Sequence, residues 1–237
     1  MIPKVIHYCW FGGKEKPNLV KKCIESWKKY LPDYEIVEWN ETNTDLSISA
    51  YVEKAYREKK WAYLTDYLRL YIIYNNGGIY FDTDVEVIKN MDDILNLKYY
   101  LACESDGVIN TGLGFGAEKG NKVISYLLKE YNNRLIKEAD DAFDFIACPE
   151  MNTSALEKLI GKENIPGKDI IEFDGGEIYP SEYFCPLNYH TKRLTLTPNT
   201  YTIHHYDGSW LSPSTKMKSH VRGFLRRTLF RKKWDQV

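Results

Sequence analysis

Between Asn75 and Val87 the chain reads Asn-Asn-Gly-Gly-Ile-Tyr-Phe-Asp-Thr-Asp-Val-Glu-Val. A helical pattern with Leu64, Leu68, Tyr71 and Ile72 on one stripe runs into it, and the Gly77-Gly78 pair supplies the cap and the turn. Ile79 to Phe81 then form a short apolar run that reads as a buried strand. Two carboxylates, Asp82 and Asp84, follow at its end. An unpaired buried charge costs several kcal/mol or titrates away. Something positive must therefore meet this pair, or the pair must reach water; a metal ion and a salt-bridge partner are the two candidates.

The flanking sequence points to an α/β frame. Val5 to Trp10 reads as a strand, and Pro17 opens a helix that places Leu19, Cys23, Ile24, Trp27 and Leu31 on one face. Glu35 to Trp39 alternates as a second strand. This strand–helix–strand order begins a parallel sheet. Helical spacing covers Ile48 to Tyr74 with a break near Lys59-Lys60, and Val85 to Ile88 is a second short extended piece. Strands follow near Tyr100 to Cys103 and Gly112 to Phe115, then helices over Lys122 to Leu135 and Pro149 to Ile160. Short strands and loops lead to Tyr201–His205. At 237 residues, without an internal repeat or a low-complexity linker, one domain over residues 1–215 is expected, with a tail over 216–237.

In an extended segment residues i and i+2 point to the same side, so Asp82 and Asp84 can aim at one point beyond the strand's C-terminal end. Open α/β sheets bind ligands there. Two hard oxygen donors suit Mg2+ or Mn2+ held jointly with a diphosphate. The alternative is a turn in which one Asp caps a neighbouring amide. Asp66 and Arg69 lie three apart on the preceding helix, where Arg69 can pair with Asp66 or neutralise phosphate oxygens. Asn110-Thr111-Gly112 offers turn-like backbone that could approach a sugar. Near the C-terminus, Thr202 to Trp210 brings His204, His205 and Asp207 as potential metal or diphosphate contacts. Adjacent histidines alternate faces, so one of the two is expected to face the metal, and His205 is favoured because it lies nearer the following loop.

The string Ala62 to Val87, together with "IPKVIHYCWFGG" at the start and "IHHYDGSW" at the end, resembles the glycosyltransferases with a DXD sugar-binding region. These are the family 32-like enzymes, among them yeast initiating outer-chain mannosyltransferases and bacterial capsular polysaccharide transferases. The resemblance implies a GT-A fold, a single domain with a mixed, mostly parallel central sheet flanked by helices. It also implies a nucleotide-sugar donor and a divalent cation, Mn2+ or Mg2+, between the motif and the diphosphate. On that likeness Asp84 is a direct metal ligand, and Asp82 a ligand partly through water or ribose. Asp66 and Arg69 hold the donor sugar, Trp10 stacks on the base, and Ser209 and Trp210 close over the diphosphate. Asn110 is expected on the substrate side. "ACPEMNTSAL" stands where the family often has a Thr-Gly-Pro segment, which leaves the acceptor side open. A retaining hexosyltransferase acting on a glycan or lipid-linked saccharide, in capsular or exopolysaccharide synthesis, is the reading that follows. A non-catalytic carbohydrate- or nucleotide-sugar-binding protein and an Asp-nucleophile phosphatase are the rivals; Glu86 stands where the phosphatase motif needs Thr or Val.

Charge and cysteine usage narrow the setting. Net charge is −1, which excludes a dominant nucleic-acid field. Eight of the 32 basic residues fall between Lys216 and Lys233 with no acid among them, so an acidic body carries a basic tail. Val221, Phe224, Leu225, Leu229 and Phe230 recur there at near-helical spacing, as in a helix lying on an anionic membrane surface. The five cysteines are scattered without a Cys-x-x-Cys pair, which argues against zinc and for a reducing compartment. The start of the chain lacks a signal-peptide pattern, so a cytoplasmic protein, peripheral on the inner face of the plasma membrane, is expected.

Overall fold

The computed structural model describes residues 1–137 and 146–208. The elements are β1 (Val5–Cys9), α1 (Asn18–Tyr30), β2 (Glu35–Trp39), α2 (Ala50–Arg57), α3 (Trp61–Asn76), β3 (Gly78–Tyr80), β4 (Val85–Val87), β5 (Tyr99–Ser105), β6 (Val108–Ile109) and β7 (Phe115–Ala117). They continue with α4 (Lys122–Lys137), α5 (Cys148–Ile160), β8 (Ile171–Phe173), β9 (Gly176–Tyr179), α6 (Ser181–Phe184) and β10 (Thr202–His204). The main sheet runs β2-β1-β3-β7-β5-β9-β8, with β6 paired to β5. β2, β1, β3, β5 and β9 share one direction, while β7 and β8 oppose it. The expected mixed, mostly parallel sheet flanked by helices is what forms.

Two apolar layers cover its faces. One packs α2 to α5 over β5, β6 and β7, centred on Leu64, Leu68, Tyr99 and Phe115. The other packs α1, β4 and α6 on the opposite face, around Trp27, Phe81, Tyr100 and Phe184. Of the predicted α1 face, Cys23, Trp27 and Leu31 are fully buried, and Leu19 and Ile24 pack at its rim. The Trp27 indole N–H donates to the Val85 carbonyl at 2.7 Å, tying α1 to the strand after the acidic pair.

The break in the long helical pattern occurs at Lys59, whose φ of 56° turns the chain between α2 and α3. The Gly77-Gly78 turn is obligatory for a steric reason. Both residues have positive φ, and a Cβ on Gly78 would lie 2.6 Å from the Val5 carbonyl oxygen. His7 locks this turn from β1: its Nδ1 accepts from the Trp39 indole N–H at 3.1 Å, so its Nε2–H donates to the Gly77 carbonyl at 3.0 Å. Burial depresses the imidazole to about 4, more than the Gly77 contact raises it, and the ring stays neutral. α3 and β3 are thereby fixed relative to each other, and Asp82 emerges just past the C-terminal end of β3. The strand expected over Gly112 to Phe115 begins only at Phe115; Thr111 and Gly112 lie in a turn.

Candidate functional site

Both carboxylates after β3 are met by a positive group, and each by a different one. Arg69, 3 % exposed on α3, donates from Nη2 to Asp82 Oδ1 at 2.9 Å and lies 3.0 Å from Asp66 Oδ1. Its Nε donates to the Thr65 carbonyl at 3.2 Å, and its guanidinium sits 5.2 Å from the centre of the Tyr80 ring. The i, i+3 spacing of Asp66 and Arg69 thus places one acid and one cation on the same helix face, and β3 delivers the second acid to them. Burial pushes Asp66 up to about 7 and the Asp82 charge adds to this, against the pull of Arg69 and the Cys148 backbone N–H. Desolvation also raises Asp82, although its side chain keeps 28 % exposure; Arg69 opposes the rise and Asp84 adds to it.

The turn at Asn110–Gly112 forms the wall opposite α3. Its Gly112 carbonyl accepts the Asp82 N–H at 3.2 Å, and Asn110 Oδ1 accepts the Gly112 N–H at 2.7 Å. A Cβ on Gly112 would stand 2.3 Å from Asp82 Oδ2 and 3.1 Å from Arg69 Nη1, so only glycine fits this approach. The Asn110 amide donates to Glu104 Oε2 at 2.9 Å. Behind the turn, Thr111, Cys148 and Asn152 form a buried network. The Asn152 amide donates to Thr111 Oγ1 at 2.9 Å and to Cys148 Sγ at 3.1 Å. The sequence placed Thr111 in a substrate-side turn and Cys148 and Asn152 in the acceptor-side segment, but did not join them. The available signal was Ala147-Cys148-Pro149, a helix start whose free N–H groups suit a buried carboxylate.

Asp84 is held from the C-terminal side of the chain. β10 pairs antiparallel with β4, His204 opposite Val85, and His204 Nε2 reaches Asp84 Oδ1 at 3.2 Å. Tyr206 takes φ of 54°, a left-handed turn that brings the Asp207 N–H back onto Asp84 Oδ2 at 2.8 Å. Burial opposes ionisation of Asp84, but His204 and the Asp207 N–H outweigh it and hold the carboxyl down near about 2. Burial likewise opposes the charge on His204, and Asp84 reverses this and raises the imidazole well above its ordinary value. The two histidines are placed opposite to the sequence expectation. His205 turns to Glu86, with Nε2 at 2.8 Å from Oε2, and Glu86 also binds Lys22 at 2.9 Å. The reason is the pairing with β4: alternation sends His204 inward beside Val85 and leaves His205 on the outer, Glu86 side.

Residues 17–101 match the family model described as the glycosyltransferase sugar-binding region containing DXD motif. This stretch resembles the DXD-containing sugar-binding region of glycosyltransferases. The chain is similar to an uncharacterized glycosyltransferase, L373, of Acanthamoeba polyphaga mimivirus: 26 % identical over 227 residues, covering 92 % of this chain and 86 % of that one. It is also similar to inositol phosphoceramide mannosyltransferase 3 of Schizosaccharomyces pombe, 32 % identical over 130 residues. That match spans 48 % of this chain and only 33 % of the yeast protein. Among solved structures, the PaToxG glycosyltransferase superposes with a TM-score of 0.53 at 21 % identity, over 67 % of this chain and 69 % of that one. The glycosyltransferase GlyE of Streptococcus pneumoniae TIGR4 gives 0.50 at 12 % identity, over 99 % and 63 %. These likenesses establish the GT-A fold.

Within this glycosyltransferase, Asp66, Arg69, Asp82 and Asn110 surround one point, and Asp84 stands next to it with His204. Trp10, expected on the base, is half-buried at the end of β1, its indole N–H donating to the Lys14 carbonyl at 2.7 Å. Ser209, Trp210 and the tail from 216 to 237 lie outside the described residues. Among the described residues no group of three or more His, Cys, Asp and Glu side chains is arranged to hold a metal ion by itself. Two neighbouring carboxylates without a third side chain are still a donor set that fits Mg2+ or Mn2+, because such ions keep waters and take their remaining ligands from substrate phosphates.

Proposed function

We propose that this glycosyltransferase moves a hexosyl group, with retention, from a nucleotide-sugar donor to a glycan or lipid-linked saccharide acceptor in capsular or exopolysaccharide synthesis. The observation that carries the reading is the buried Asp66–Arg69–Asp82 cluster lying beside Asp84 at the end of β3. A purely structural ion pair needs one acid for its arginine. Here two acids converge on Arg69, and a third carboxylate waits beside them in ionised form.

Asp82 and Asp84 would hold the cation, which when bound supplies charge neutralisation for the departing nucleoside diphosphate. His204 and the Asp207 N–H keep Asp84 ionised and aimed. Asp66 accepts hydrogen bonds from donor-sugar hydroxyls, and Arg69 offers its guanidinium edge to sugar or phosphate oxygens. The bond between the anomeric carbon and the phosphate oxygen breaks, and the acceptor hydroxyl forms the new bond from the same face. Its proton leaves with the diphosphate oxygen. Asn110 lines the substrate side, Trp10 supports the base, and Ser209 and Trp210 close over the diphosphate. The basic tail holds the enzyme peripherally on an anionic membrane surface, on the cytoplasmic side. Among the described residues no helix is long and apolar enough to cross a membrane.

The test is nucleoside diphosphate release from a panel of sugar nucleotides, with Mn2+, with Mg2+ and with a chelator. One donor should be hydrolysed, chelation should stop it, and Mn2+ should restore it. Asp84→Asn should remain folded and inactive. An Asp84→Asn enzyme that is fully active in chelator would remove the central claim.

A further inference from the structure

Three of the exposed large apolar side chains of the described residues crowd onto one short stretch: Tyr189 at 47 %, Leu194 at 46 % and Leu196 at 52 %. This stretch is built, not loose. Leu187 and Leu194 form an antiparallel bridge. The Asn188 N–H donates to the Arg193 carbonyl at 3.0 Å, and the Thr195 N–H to the Pro186 carbonyl at 3.1 Å. At the tip, Asn188 Oδ1 accepts the N–H groups of His190 and Thr191 at 3.0 and 2.8 Å. Lys192, with φ of 55°, completes the turn. A hairpin this well bonded holds its apolar side chains out in water at a cost in free energy, which asks for an occupant.

Its position and charge say which. The Tyr189 ring lies 5.0 Å from that of Tyr206, and the Tyr206 ring 4.3 Å from His204, the residue that touches Asp84. The hairpin therefore stands at the rim of the transfer site. Between Glu182 and Asp207 there is no acidic residue, while Lys192 and Arg193 sit at the tip among the apolar groups. Outside the basic tail the chain carries a net negative charge, whereas this stretch carries two cations and no acid. Leucines offer nothing to a saccharide hydroxyl, but aliphatic and tyrosyl side chains flanked by cations match the boundary between headgroups and acyl chains.

We propose that the Pro186–Leu196 hairpin is a membrane-contact element: Tyr189, Leu194 and Leu196 enter an anionic bilayer surface while Lys192 and Arg193 bind its phosphate headgroups. This brings the mouth of the site to the layer where a lipid-linked acceptor would present its sugar. The inference goes beyond the transferase reading and does not need it to be true. It is also separate from the basic tail, which lies at a different place in the sequence.

The test places a reporter in the hairpin of the full-length protein. Leu196→Cys, labelled with an environment-sensitive fluorophore, can be modified selectively because the five native cysteines are all buried. Phosphatidylcholine vesicles with and without phosphatidylglycerol are added, and both sedimentation and emission are read. The expected result is a blue shift with the anionic vesicles that salt reverses. Adding Tyr189→Ser and Leu194→Ser should weaken vesicle partition by about tenfold and leave donor hydrolysis in vesicle-free buffer unchanged. Three outcomes overturn the proposal: a protein that sediments while the label stays water-exposed, a protein that never sediments, and a label that responds to soluble saccharide but not to vesicles. The first assigns any membrane binding to another segment, and the last makes the hairpin an acceptor-sugar contact. Failure of donor hydrolysis with a normal blue shift would count against the transferase reading alone.

Discussion

Asp66 is 6 % exposed and burial raises its carboxyl from 3.8 to about 7, so at neutral pH the folded chain partly keeps a proton there that the unfolded chain has lost. The folded state holds this proton more tightly, and stability from Asp66 is therefore greatest below pH 3.8 and is lost as pH rises from there through about 7. The full difference amounts to roughly 4 kcal/mol, of which about 2–3 kcal/mol falls between pH 5 and pH 8. Asp66→Asn removes the titration while Arg69 keeps its bond to Asp82 at 2.9 Å. The variant should therefore gain on the wild type by about 2–3 kcal/mol as pH goes from 5 to 8, in urea unfolding followed by circular dichroism. Titrating groups away from the Asp66–Arg69–Asp82 cluster are common to both proteins and cancel in this comparison. The same substitution should reduce sugar transfer far more than it reduces nucleoside diphosphate affinity, since the amide cannot replace the ionised acceptor. A wild type and variant whose stabilities run parallel in pH would refute the reasoning. So would equal losses in transfer and in nucleoside diphosphate binding. If both results appear as expected, the site carries its acid at the expense of stability, as functional groups often do.

Three further perturbations address the rest of the site. His204→Ala should lower donor hydrolysis by about 10–100-fold by loosening Asp84, whereas His205→Ala should change stability by no more than about 0.5 kcal/mol and leave kcat near the wild-type value; parallel effects would contradict the assignment of His204 to Asp84. Gly112→Ala should destabilise the fold by about 1–3 kcal/mol and abolish hydrolysis, because the new methyl must displace Asp82 from Arg69. Gly167→Ala, where a Cβ meets nothing within 4 Å, is the matching control and should be close to silent in both assays. Below pH 3.8 the stabilisation from Asp84, whose carboxyl is held down near about 2, should fade as it protonates, and acid unfolding of Asp84→Asn should lack that component.

The sequence by itself determined the local pieces and where a candidate site lies. The amphipathic spacing of α1 and the alternation of β2 follow from short-range periodicity, and so does the glycine turn that joins α3 to β3. The i, i+3 relation of Asp66 and Arg69 and the i, i+2 relation of Asp82 and Asp84 are local too, so both pairs could be read before any fold was known. What balances the charge of the acidic pair needed the tertiary structure. Arg69 is thirteen residues from Asp82 and His204 lies beyond a hundred residues from Asp84, and neither contact leaves a trace in local pattern. The choice between His204 and His205 depended on the register of β10 against β4, because a shift by one residue exchanges the faces of a strand. The Thr111–Cys148–Asn152 network was equally hidden, since it joins a turn to a helix start far along the chain. So was the hairpin at Pro186–Leu196, whose apolar residues read as ordinary short strands and loops until the fold left Tyr189, Leu194 and Leu196 about half exposed.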